Sequence, residues 1–176
     1  MKKFSFLAFV LSLLVSPPAF AEGTGGFLGL SIGYYDIFPE DDGQTVDFRA
    51  EYRPDTAIFI KEIKPWAGLD LTADGAFWAG GGFLVDVKLT DHLYLTPSFG
   101  AGLYSPGNNN ADLFYPLIFR SQFEMGYQFD SGSRLALSFS HMSNCGRGDD
   151  NPGVEMLNLY YHIPLSRFSD WKVSDT

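Results

Sequence analysis

The chain has a single cysteine, Cys145, and few charged side chains, and both shortages restrict what it can be. One cysteine excludes an internal disulfide, and Cys145 is too far from any cleavage point to serve as a lipoprotein anchor. Charged residues make up 19% of the 176 positions, below the roughly 25% usual for soluble domains. Together with 19 glycines, this argues against a disordered tail, a coiled coil or a charge-rich solvated surface.

Basic residues and long apolar runs are also scarce. The 12 Lys and Arg side chains face 21 Asp and Glu, a formal net charge of −9, which disfavours a nucleic-acid binder. After residue 21 no segment approaches the ~18 consecutive apolar residues of a membrane helix. A membrane-spanning structure would therefore have to be a β-barrel.

The first 21 residues have the pattern of a secretory signal peptide. Lys2 and Lys3 precede an apolar run over 4–15, and Ala19-Phe20-Ala21 fits a small-residue cleavage site. Removing 21 residues from 176 leaves 155, and removing two lysines leaves 10 basic against 21 acidic residues, or −11. The sequence thus predicts an exported protein that meets no nucleic acid.

The remaining chain alternates apolar residues with small or polar ones, the two-residue period of β-strands. Eight strands in 155 residues leave about 19 residues each, which suits tilted transmembrane strands of about 9 to 11 residues plus connections. Twelve strands would leave about 13 each, which is cramped for a larger barrel. We therefore predict an all-β fold, an eight-stranded antiparallel transmembrane β-barrel of outer-membrane type over 22–165, followed by a tail at 166–176. The eight segments are 27–35, 45–52, 66–73, 77–89, 93–103, 115–128, 134–143 and 154–165.

Alternation alone does not say which face points outward, because a secreted lipocalin-like barrel turns its apolar face inward around a ligand. Here the second face is rich in glycine and in charges of both signs. Such residues suit a narrow lumen where the charges pair, which favours apolar side chains against lipid. The residues concerned are Gly29, Gly33, Gly80, Gly82, Gly100 and Gly102, and Asp47, Arg49, Glu51, Arg120 and Glu124.

Three polar residues interrupt the apolar face of the last two strands. His141 and Ser143 follow Leu135, Leu137 and Phe139 on the odd-numbered face of the seventh strand, and Glu155 begins the apolar face of the eighth. The two strands are joined by 144–152, so the three side chains should meet at one end of the barrel, facing outward. In a serine hydrolase a histidine accepts the serine proton and a carboxylate orients the imidazole.

The connecting loop provides groups that could stabilise the oxyanion formed from an ester carbonyl. These are the Asn144 and Asn151 side chains and the Gly146 backbone N–H. With a periplasmic N-terminus this loop is extracellular, at a depth where a charge on the lipid face costs only about 0 to 1 kcal/mol. The accessible substrate would be a lipid ester of the outer leaflet, and no cofactor or metal is expected.

The same segment resembles a known family. His141-Met142-Ser143-Asn144, followed by Asn151-Pro152-Gly153 and Glu155, is similar to the signature of the outer-membrane lipid A 3-O-deacylase (PagL) family. Its members are eight-stranded barrels that remove the ester-linked acyl chain at the 3-position of lipid A. The resemblance implies a lipid A or lipopolysaccharide substrate, location in the Gram-negative outer membrane, His141 as general base, Ser143 as nucleophile and Glu155 as the orienting acid. It also matches Asn144, Gly146 and Asn151 to the oxyanion-hole region.

Other functions remain open at this stage. An outer-membrane phospholipase A also uses a His-x-Ser arrangement on the barrel exterior, although with an amide as third member and twelve strands. A structural or adhesive barrel would need no catalysis, and a lipocalin-like carrier would be soluble. Oligomeric state and acyl-chain preference cannot be deduced from the residues.

Overall fold

The computed structural model describes residues 25–38, 43–58, 60, 63–108, 112–148 and 150–169. The predicted signal peptide, 1–21, and most of the predicted tail lie outside these residues. The strands are β1 (Gly26–Tyr35), β2 (Thr45–Pro54), β3 (Ile63–Thr72), β4 (Phe77–Val85), β5 (Val87–Lys88), β6 (Leu93–Ser105), β7 (Leu117–Gln128), β8 (Arg134–Ser143) and β9 (Gly153–Pro164). A four-residue helix, α1 (Ser166–Ser169), follows, and no helix in the described segments is long and apolar enough to cross a membrane.

The strands form one closed antiparallel sheet. Apart from β4 and β5, which both pair with β6, each strand pairs with the next one in sequence, and the pairing of β1 with β9 completes the circle. Because β4 and β5 pair with β6 in one continuous register, they count as a single strand of the barrel. The predicted eight-stranded antiparallel barrel is confirmed.

The predicted fourth strand, 77–89, is shorter and interrupted: β4 ends at Val85, and β5 covers only Val87–Lys88. The register that joins Leu84 to Ser98 and Val87 to Leu95 sets Val85 opposite Pro97. Proline has no N–H, so it removes a hydrogen bond from the ladder at this point.

Apolar side chains face outward along the whole sheet, as predicted, and polar ones fill the lumen. On β8 and β9 the residues Leu137 and Leu159 are about half exposed, whereas their strand neighbours Ser138 and Asn158 are fully buried. Because the apolar face is the exterior one, the lipocalin-like arrangement is excluded. Exposed aromatic residues lie towards both ends, as in the interfacial girdles of membrane barrels, and include Tyr34, Phe77, Tyr52, Tyr127, Phe129 and Tyr161.

The predicted ion pairs fill the middle of the lumen. Arg49 contacts the carboxylates of Asp47 and Asp70, each at 2.8 Å. Arg120 pairs with Glu51. Since buried charges are tolerated only when paired, these bonds allow a polar interior without a water-filled channel.

Apolar side chains close the lumen behind the last hairpin. Met142 of β8 and Met156 of β9 point inward and pack with Tyr35, Trp78 and other buried residues. The stacked pair Trp66 and Trp78 occupies the space left by glycines of β4 and β6. The β8–β9 hairpin, which carries the predicted site on its outer face, is thus supported from inside.

The connections differ in length between the two ends of the barrel. At one end they are 36–44, 73–76, 106–116 and 144–152, and at the other 55–62, 89–92 and 129–133. Outer-membrane barrels have short periplasmic turns and longer extracellular loops. By this rule the end that carries 144–152 is extracellular, and we refer to it as the outer end.

Candidate active site

His141 and Glu155 form a hydrogen-bonded pair on the exterior of the barrel. They are direct cross-strand partners in the β8–β9 register, so their side chains share the outward face. The His141 Nδ1–H donates to Glu155 Oε1 at 2.9 Å. With 41% and 27% of their side-chain surface exposed, both remain accessible from outside. This bond leaves Nε2 as the nitrogen that can accept a proton.

Gly153 makes room for the imidazole. A Cβ at this position would lie 2.4 Å from His141 Cε1 and 3.2 Å from Nε2. Gly153 is also the direct cross-strand partner of Ser143. The ring therefore leans along the hairpin from Glu155 towards the position of the serine.

Ser143 lies on the same outward face as His141, two residues further along β8, but it does not yet bond to it. Its neighbour on β7 is Phe119, and only 7% of its surface is exposed. The Ser143 Oγ lies 3.9 Å from Cys145 Sγ, and no Ser143–His141 hydrogen bond occurs within the described part of the chain. The structure thus joins two of the three predicted catalytic side chains and sets the third beside them.

Asn144 organises the loop after β8. Its side chain is fully buried, and its amide N–H groups donate to the carbonyls of Leu113 at 3.1 Å and Asp150 at 2.7 Å. Its Oδ1 accepts from the backbone N–H groups of Gly146 and Arg147, at 2.8 and 3.2 Å. A single side chain therefore ties this loop to itself and to the connection between β6 and β7.

Two of the three predicted oxyanion donors are already occupied. The amide of Asn144 and the N–H of Gly146 are used within the loop. Asn151 is exposed, and its side chain has no hydrogen-bond partner among the described residues. The direct donor role stays a prediction for all three.

Arg147 and Phe119 also lie at the site, and no motif in the sequence indicates either of them. The Arg147 guanidinium carbon sits over the Phe119 ring, 5.2 Å from its centroid. Phe119 also stacks with Phe99 of β6 at 6.1 Å. No spacing rule connects residues 119 and 147; the only available signal was an arginine in an otherwise acidic loop.

No group of three or more His, Cys, Asp or Glu side chains gathers as a metal site within the described ranges. The chemistry available at the hairpin is that of a hydroxyl, an imidazole and a carboxylate. These groups can carry out acyl transfer from an ester.

Comparison with protein families identifies the chain. The model of the lipid A 3-O-deacylase (PagL) family matches residues 55–164, which include β3 to β9 and the whole hairpin site. The chain belongs to the lipid A 3-O-deacylase family. No curated protein sequence shows significant similarity to it.

Solved structures agree with this family in fold. The chain is similar to the crystal structure of the outer membrane enzyme PagL, with a TM-score of 0.58, 18% identity, and coverage of 78% of this chain and 99% of the other. At this identity the likeness shows the shared barrel alone. A de novo designed transmembrane β-barrel also matches, with a TM-score of 0.47, 12% identity and coverage of 84% and 98%.

Proposed function

We propose that this member of the lipid A 3-O-deacylase family hydrolyses the ester-linked acyl chain at the 3-position of lipid A. The proposal assigns it to the outer membrane, with export by the predicted signal peptide 1–21. The observation that carries it is the 2.9 Å hydrogen bond between His141 and Glu155 on the exterior of the barrel. A hydrogen-bonded polar pair on a lipid-facing surface needs a reason to be there, and Ser143 on the same face provides one.

In the proposed reaction Ser143 Oγ attacks the ester carbonyl carbon while His141 Nε2 takes the hydroxyl proton. Glu155 holds the imidazole in the required tautomer and stabilises its positive charge. The tetrahedral intermediate collapses, the sugar 3-oxygen leaves with the proton from His141, and an acyl-serine remains. Water, deprotonated by His141, then attacks the acyl-serine carbonyl, and the fatty acid is released as His141 returns the proton to Ser143 Oγ.

The serine must turn before it can react. A staggered change of χ1 would move Ser143 Oγ away from Cys145 Sγ and towards the imidazole that leans over Gly153. Catalytic hydrogen bonds are often long or unformed in the absence of substrate. Binding of the lipid would then complete the triad.

The loop would provide the oxyanion donors. Asn151 is the member of the predicted set whose side chain is uncommitted, so it suits direct donation. The donors of Asn144 and Gly146 already bond to the Asp150 carbonyl and to Asn144 Oδ1. To bind the oxyanion directly they would have to give up these bonds, so their proposed role is to stabilise the loop conformation.

An apolar groove on the lipid face suits the acyl chain of such a substrate. It has a volume of about 300 Å³ and lies nearer the periplasmic end of the same strands than His141 and Glu155. Its apolar lining comes from β1, β8 and β9 and consists of Leu30, Ile32, Leu135, Leu159 and Tyr161.

The test is mass spectrometry of lipid A from cells that express the protein. We expect loss of one ester-linked hydroxyacyl chain with the native protein. Ser143→Ala and His141→Ala should each lower the rate at least about 10³-fold, and Glu155→Gln should retain more activity because it preserves a hydrogen-bond acceptor. Heat-modifiable migration on gels checks that each variant forms the barrel.

Three results would contradict the proposal. Deacylation that persists in Ser143→Ala would remove the serine from the mechanism. Cleavage of purified phospholipid but not of lipid A would point to a phospholipase, and cleavage of neither lipid would favour a structural or adhesive barrel.

A further inference from the structure

Arg147 differs from the arginines inside the barrel in having no acidic partner among the described residues. Arg49, Arg53, Arg120 and Arg134 are buried and each pairs with a carboxylate. Arg147 is exposed, and no carboxylate of the described segments lies within 4.0 Å of its side chain. Its guanidinium lies over the Phe119 ring, an arrangement that leaves the N–H groups in the guanidinium plane free.

The position of Arg147 relative to the nucleophile is set by the sheet. Phe119 is the direct cross-strand partner of Ser143, so the two lie about one strand spacing, ~4.8 Å, apart. The loop that carries Arg147 is held in place by Asn144, whose Oδ1 accepts the Arg147 backbone N–H. The Arg147 guanidinium therefore lies near the serine on the outer face, over the ring of the residue that pairs with Ser143.

Within the described segments, Arg147 is also the one exposed arginine or lysine at the outer end. The exposed or half-buried cations of the described chain other than Arg147, namely Lys88 and Arg167, belong to the opposite end. The outer connections contribute acids, including Asp74, Asp112 and Asp150. An anionic lipid approaching this acidic rim meets one favourable site, next to Ser143.

We propose that Arg147 binds a phosphate group on the sugar of the substrate and so aligns the ester with Ser143. This inference rests on the proposed function, because lipid A carries its phosphates on the same glucosamines as its ester-linked chains. The guanidinium fork matches a phosphate with two parallel N–H···O bonds, and the Phe119 ring holds the plane of that fork. Arg147 is thus a specificity determinant that selects phosphorylated over dephosphorylated lipid A.

The experiment compares two substrates, phosphorylated lipid A and lipid A stripped of its phosphates, in mixed detergent micelles with EDTA present. The native protein should prefer the phosphorylated form by about tenfold in kcat/KM. In Arg147→Gln this ratio should fall close to one. Arg147→Lys keeps the positive charge but loses the planar guanidinium, and Phe119→Leu keeps the guanidinium but loses the ring that orients it. Each variant should therefore keep part of the preference. Arg167→Gln, which makes the same charge change at the opposite end, should leave the ratio at its native value.

A preference that is absent in the native protein, or unchanged in Arg147→Gln, overturns the proposal. Competition by phosphatidylglycerol with the same dependence on Arg147 would assign the site to a phospholipid phosphate and overturn the assignment to the sugar. Fluorescence anisotropy of both labelled lipids measures binding independently of cleavage. If the native protein cleaves neither form, the proposed function fails, while the binding ratio still decides the role of Arg147.

Discussion

A charged side chain on the outer face of a membrane barrel has a cost that depends on its depth. At mid-bilayer the cost is about 2 to 4 kcal/mol for a basic residue, and near the interface it falls to about 0 to 1. His141 and Glu155 lie at the outer end, and their hydrogen bond satisfies one polar atom of each side chain. The free-energy cost of placing these polar side chains on the lipid face is therefore small.

Gly153 offers the sharpest test of this geometry at a single residue. Gly153→Ala would place a Cβ 2.4 Å from His141 Cε1. The imidazole would then have to move away from Ser143. We expect deacylation to fall about 10²-fold, the size of effect that a displacement of about 1 Å can have on positioned groups. The measurement is the initial rate of fatty-acid release, with heat-modifiable migration as the folding control. A rate within about twofold of native would show that the ring orientation seen here is not the reactive one.

At the scale of elements, the loop 144–152 depends on one side chain that reaches beyond its own hairpin. The Asn144 amide donates to Leu113, which belongs to the connection between β6 and β7. This bond joins the outer loops 106–116 and 144–152. The position of Arg147, and with it the charge near Ser143, follows from this connection.

Asn144→Ala should loosen that loop without unfolding the barrel. It removes both donors and the acceptor for Gly146 and Arg147, and we expect faster proteolytic cleavage within 144–152 together with reduced deacylation. Asn144→Asp keeps the acceptor oxygen but loses the donors to Leu113 and Asp150, so its cleavage rate should be intermediate. Limited proteolysis of intact cells measures this. Equal cleavage of all three proteins would mean that other contacts hold the loop.

At the same scale the sequence predicted the hairpin well. Alternation over 134–143 and 154–165 places His141, Ser143 and Glu155 on one face, because successive side chains of a strand point to opposite sides. A tight pairing of consecutive strands then brings His141 opposite Glu155. The rotamer of Ser143 and the occupied donors of Asn144 could not be predicted, since they depend on Cys145 in a left-handed conformation and on Leu113 from another loop.

For the whole molecule, we expect the barrel to depend on the paired charges of the lumen. Arg120 contacts Glu51 and lies over the rings of Trp66 and Trp78, at 4.4 and 4.8 Å. Glu51 also pairs with Arg53, so the loss of Arg120 would leave this buried group of carboxylates short of one positive charge.

Arg120→Met should therefore lower the free energy of unfolding by about 3 kcal/mol. The measurement is the urea midpoint of the protein folded in lipid vesicles, followed by gel migration. The double variant Arg120→Met with Glu51→Gln should recover part of the loss, because it removes a carboxylate that has lost one of its two arginine partners, Arg53 being the other. Arg167→Met, at an exposed position outside the barrel, should leave the midpoint unchanged. A loss for Arg120→Met no greater than that of Arg167→Met would show that the lumen pairs do not stabilise the barrel.

The sequence by itself determined the strand number, the outward apolar face and the meeting of His141 with Glu155. These features depend on the two-residue period of a strand and on the pairing of neighbours in the chain, both of which are local. Only the tertiary structure decided that Pro97 divides the fourth strand, that Asn144 bonds to Leu113 and that Arg147 stacks on Phe119. The contacts of Asn144 and Arg147 join residues that are far apart in the chain and meet only once the sheet has formed. The pairing of Val85 with Pro97 lies within one hairpin, and it depends on a register that alternation alone does not fix.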